Sequence, residues 1–137
     1  MVLGPPSRVT AVSHPAFTGV DAQTSMLLEH ESGAHAVLTT TLEAAGSNRA
    51  AVVGTEGRVE IRPYWLGPSA LVVTPRGGEP WVFDPPHPGN GLRHQAAEVG
   101  RCLRQGRLES TVMPLDETVS IMATLDEVRR QIDLTYH

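Results

Sequence analysis

Histidine, cysteine and carboxylate side chains could do chemistry in this chain, and their spacing builds no self-sufficient site. His30 and His35 flank Glu31-Ser32-Gly33 and could approach each other across a hairpin turn. No third ligand stands at a defined spacing, whereas zinc sites draw on three or four protein ligands. Surface hairpin histidines are therefore the expectation, and no metal site is assigned. Asp133 and His137 have the spacing of an acid–histidine pair on a helix, but they lie at the chain terminus, where fraying works against fixed geometry. Cys102 lies on the first helix near its apolar stripe, which predicts core packing rather than a nucleophile. There is no Gly-x-Ser-x-Gly elbow, and the 15 acidic residues and 6 histidines form no recognisable acid–base pair, so no catalytic residue is assigned. Gly89-Asn90-Gly91-Leu92-Arg93-His94 imitates the first two glycines of a dinucleotide-binding turn. It follows a proline-rich linker rather than a buried parallel strand, and its third glycine position is His94. What remains is a helix entry where Asn90, Arg93 and His94 could line a pocket for a small polar ligand.

Composition narrows the classes further. The 11 basic residues are all arginine, which removes Schiff-base chemistry, a phosphate-loop lysine and a lysine proton shuttle. A single cysteine allows no disulfide framework or thiolate cluster within the chain and suits a reducing compartment. Net charge is -4, which argues against nucleic acid or an anionic membrane as the main partner. No apolar run approaches the roughly 18 residues of a spanning helix. Residues Met1 to Ser7 lack the basic and apolar regions of a signal peptide, so a cytoplasmic chain is expected. With 137 residues, 40% of them hydrophobic and only 4% aromatic, the expectation is one domain with an aliphatic core.

The elements that must position these residues change period once. Strands are predicted within 7–84. Ser7 to His14 alternates until Pro15 stops it, and Asp21 to His30 and Ala34 to Glu43 form a hairpin. In that third strand Ala34, Ala36, Leu38, Thr40 and Leu42 share an apolar side, while His35, Val37, Thr39 and Thr41 share a threonine-rich one. Asn48 to Gly54 and Arg58 to Arg62 are joined by the turn Gly54-Thr55-Glu56-Gly57, and Ala70 to Thr74 and Trp81 to Asp84 make a further hairpin. After Asp84-Pro85-Pro86-His87-Pro88 the pattern turns helical, over about 91–105 and 115–133. The first helix carries Leu92, Ala96, Val99 and Leu103 and ends at Gly106. The second carries Val119, Met122, Leu125, Val128 and Ile132, with acids at its start and Arg129 and Arg130 near its end. Strands followed by helices predict an α+β fold: an open-faced, predominantly antiparallel sheet of about six strands, with two C-terminal helices covering one face. The other face, with Val37, Thr39 and Thr41, then needs water or a partner sheet, and its small β-branched residues suit a flat contact.

Three stretches carry a family resemblance. They are Thr18-Gly19-Val20-Asp21 leading into Ser25-Met26-Leu27-Leu28, then Val53-Gly54-Thr55-Glu56-Gly57 with Arg58-Val59-Glu60-Ile61, and the tail. The tail runs from Gly89-Asn90-Gly91-Leu92-Arg93-His94-Gln95-Ala96-Ala97-Glu98-Val99 through Met113-Pro114-Leu115-Asp116-Glu117-Thr118 to Leu125-Asp126-Glu127-Val128-Arg129-Arg130-Gln131-Ile132. In order and spacing these resemble the C-terminal domain of the Gfo/Idh/MocA oxidoreductases, in the dihydrodiol dehydrogenase-like branch. The resemblance implies a parent enzyme with an N-terminal Rossmann domain that binds NAD(P) and carries a catalytic lysine in a Glu-Lys-Pro motif. It further implies that this domain helps form the substrate pocket and mediates oligomerisation. The present chain has no such lysine and no fingerprint after a strand, and the family's acid–histidine motif would precede its first residue.

The expectation is thus a substrate-pocket and oligomerisation domain, inactive alone, that holds no cofactor itself and pairs as a homodimer through Val37, Thr39 and Thr41. The alternative is a self-contained binding module for a sugar or polyol.

Overall fold

The computed structural model describes residues 2–63, 67, 70–86, 89 and 91–135. The chain divides into two compact units, one formed by Met1–Gly46 and Leu108–His137, the other by Ser47–Arg107.

The first unit is a three-stranded antiparallel sheet, order β1-β2-β3, with β1 Arg8–Pro15, β2 Asp21–Glu29 and β3 His35–Thr41. Helix α2 (Leu115–Gln131) packs on β1. The register pairs Val9 with Leu28, Ala11 with Met26, and Met26 with Leu38. Strand alternation then places Val9, Ala11, Met26, Leu28, Ala36 and Leu38 on one face. Ala22, Thr24 and His30 are buried in this unit, together with Val128 of α2. The helix contributes Ile121, Thr124, Leu125 and Val128 to a cleft over Met26, Leu28, Ala36 and Leu38. Periodicity alone chose a stripe slightly rotated from this one: Val119 and Met122 are exposed, and Ile121 takes their place. Both helix ends follow the dipole, with Asp116 and Glu117 in the first turn and Arg129 and Arg130 in the last.

The second unit holds a four-stranded antiparallel sheet, order β4-β5-β6-β7, with β4 Ala50–Gly54, β5 Gly57–Ile61, β6 Leu71–Pro75 and β7 Trp81–Phe83. Helix α1 (Leu92–Arg104) follows. Gly106, at φ 64, terminates it, with the Gly106 N–H donated to the Leu103 carbonyl at 3.1 Å. The α+β class and the open antiparallel character are as the pattern predicts. Among the described residues the strands number seven and fall into two ladders rather than one run. On α1 the stripe residues Leu92, Val99 and Leu103 are exposed, Leu103 by 72%, while Cys102 beside them is buried.

Candidate functional site

The side of the first sheet turned away from α2 is built by strand alternation. It carries Thr10 and Val12 of β1, Ser25 and Leu27 of β2, and Val37, Thr39 and Thr41 of β3. Val37 is 78% exposed and Val12 66%, and Thr39 is exposed as well. The Ser25 and Thr39 hydroxyls, opposite each other in the register, hydrogen-bond at 3.2 Å. Such a cross-strand pair contributes about 0.2–1 kcal/mol and keeps the hydroxyls lying on the sheet. Thr41 departs from its neighbours. It is half-buried, and its Oγ1 accepts from the backbone N–H of Glu43 and of Ala44, both at 3.3 Å, to fix the turn after β3. Val37 and Thr39 are thus the two of the three whose side chains are bare.

The other sequence candidates lie in the second unit. Asn90 lies outside the described residues. Arg93 and His94 are exposed in the first turn of α1, whose entry residue Gly91 makes no side-chain cap, and the His94 N–H is donated to the Gly91 carbonyl at 3.0 Å. In the same unit Arg49, Ala51, Glu60, Ile61, Arg62 and Val72 line an open hollow of about 500 Å³ that pattern reading did not single out.

The expected surface position of His30 is overturned. His30 is only 8% exposed, and its Nδ1 lies 3.2 Å from the Pro5 carbonyl oxygen. The N-terminal segment folds over it, with Val2, Leu3 and Pro6 bordering the same apolar cleft, which measures about 320 Å³. His35, by contrast, is exposed as expected. Cys102 is buried although the stripe residues beside it are exposed, with its Sγ 3.5 Å from a Glu98 carboxylate oxygen. Among the described residues no three His, Cys, Asp or Glu side chains gather as a metal site.

The strongest electrostatic arrangement is structural. Arg130 donates to Glu127 from Nε at 2.8 Å and Nη2 at 2.6 Å, and Gln131 Nε2 donates to the same carboxylate at 2.8 Å. The Arg130 contacts first, then the Gln131 amide, pull the Glu127 carboxyl down to about 2. Glu98 holds the Arg101 guanidinium in the same way within α1 and raises its pKa.

NAD(P), which the resemblance implies for a parent enzyme, does not fit these residues. A pyrophosphate turn runs from a parallel strand into a helix, and every ladder among the described residues is antiparallel. Among the described residues ahead of α1, Asp84-Pro85-Pro86 are irregular.

Residues 1–60 match the GFO/IDH/MocA C-terminal domain. Over 96% of its length the chain is 32% identical to a trans-1,2-dihydrobenzene-1,2-diol dehydrogenase of Xenopus tropicalis, and 36% identical to one of Homo sapiens, covering 41% of each. The chain therefore spans about two fifths of the length of these curated relatives. Among solved structures it superposes on an aldose-aldose oxidoreductase from Caulobacter crescentus with TM-score 0.75 and 25% identity, over 94% of this chain and 39% of that one. A UDP-N-acetylglucosamine 3-dehydrogenase from Acidithiobacillus ferrooxidans, at 17% identity and TM-score 0.74 over 94% of this chain and 41% of that one, shares the fold. No helix among the described residues is long and apolar enough to cross a membrane. What these comparisons show is a domain similar to the GFO/IDH/MocA C-terminal domain, matched by the family model over residues 1–60.

Proposed function

We propose that this chain is the substrate-pocket and self-association domain of an NAD(P)-dependent oxidoreductase acting on a small diol or sugar hydroxyl, with the cofactor held outside residues 1–137. The observation that carries this reading is the bare sheet face. A β-layer covered by α2 on one side leaves Val12, Val37 and Thr39 to water on the other. Exposed β-branched residues on a regular sheet favour burial against a second, similar sheet, and a second copy of this chain supplies one. The relatives named as dihydrobenzene-diol dehydrogenases support the substrate class. Arg93 and His94, at the exposed start of α1, are the residues assigned to substrate contact together with Asn90. Val37, Thr39 and the margin formed by Thr41 are assigned to the dimer.

Calorimetric titration of NADH and NADPH into the purified chain tests the division of labour. The reading predicts no binding of either cofactor at micromolar concentration. Micromolar binding of one of them would show that this chain carries its own cofactor site and would overturn it.

A further inference from the structure

Strand β1 forms one edge of the first sheet. Alternate residues of a strand turn their N–H and C=O groups to opposite sides, and in β1 the backbone of Val9 and Ala11 meets a side chain in place of another strand. The Ala11 N–H is donated to Gln131 Oε1 at 2.8 Å, and Gln131 Nε2 donates to the Val9 carbonyl at 2.7 Å. One carboxamide thus closes the ring of bonds that a single residue of a parallel strand would close. The remaining Nε2 hydrogen goes to Glu127 at 2.8 Å, which sets which end of the amide faces which backbone group, and Arg130 holds Glu127.

We propose that Gln131 is a built-in strand surrogate that blocks the β1 edge, so that the strand of a second copy cannot add there. An edge with free N–H and C=O groups is a template for strand addition, and Val9 to Val12 is a β-forming stretch with a 66%-exposed valine. The amide occupies the middle of that stretch and ties it to the last turn of α2, 120 residues away in sequence. Association is thereby confined to the sheet's face.

The test is Gln131→Leu in the purified chain, which keeps an apolar side chain of comparable bulk and removes the amide's donors and acceptor. It is made both alone and with Val37→Lys, so that edge addition is scored separately from the face-to-face dimer. Sedimentation is expected to show concentration-dependent species larger than those of the parent in both backgrounds. Adding Ala11→Pro, which leaves no N–H at that point for an incoming strand, is expected to restore the parent's behaviour. Amide exchange supplies the second measurement: at Ala11 it should rise at least tenfold, while Thr10, on the β2 side, stays protected. Should Gln131→Leu fail to fold, Ala11 protection in the unmodified chain decides: exchange as fast as a free edge amide overturns the proposal, and protection supports it. Unchanged sedimentation of a folded Gln131→Leu chain, or larger species that Ala11→Pro does not suppress, would overturn it too.

Discussion

Gly57 lies so close to Thr74 that a Cβ built on it would sit 2.4 Å from the Thr74 carbonyl oxygen and 2.9 Å from Pro75 Cα. Its φ of 148° adds a backbone conformation that side chains disfavour. Gly57 pairs with Pro75 across β5 and β6 and with Gly54 across the turn, so this approach holds three strands in register. Gly57→Ala should cost about 2 kcal/mol or more, since both backbone strain and overlap must be relieved. Gly54→Ala, where the nearest atom is 3.9 Å away, should cost under about 1 kcal/mol. Urea unfolding midpoints separate the two; equal midpoints would contradict the close approach.

Acid should loosen the first unit through Glu127. The folded carboxyl titrates at about 2 against an ordinary 4.5. Between those values the unfolded chain binds more protons, so stability rises with pH across that window. The contribution is fully present above about pH 4.5 and is lost as pH falls through about 2. Glu127→Gln should flatten that part of the stability profile, measured by urea unfolding at a series of pH values, and an unchanged slope would refute the assignment.

His30→Ala should release residues 2–6 from the apolar cleft. It removes a buried ring and its contact with the Pro5 carbonyl, a loss of about 1–3 kcal/mol. Limited proteolysis should then cut within the first six residues faster than in the parent, and His35→Ala, at an exposed ring, should leave the rate unchanged.

The alternation in β3 and the switch from period 2 to period 3.6 after Asp84 are local signals, and both were legible in the residues themselves. The Gly54–Gly57 turn was legible for the same reason. The burial of His30 was not, because its partner Pro5 lies 25 residues away and nothing near His30 marks it. The tie between Gln131 and β1 spans 120 residues and escaped for the same reason. The stripes on the helices gave period but not partner. Val119 and Met122 satisfy the spacing yet face water, while Ile121, one position off the stripe, lines the cleft. Strand spacing likewise could not tell one ladder from two, since pairing is decided by groups far apart in the chain.

The bare face opposite α2 carries the functional account, and sedimentation equilibrium of the purified chain at micromolar concentration tests it most directly. A dimer is predicted, with Val37→Lys and Thr39→Lys each weakening it at least tenfold, because each would bury an unpaired ammonium against the partner sheet. A monomer, or a dimer that neither substitution affects, would contradict the assignment of this face.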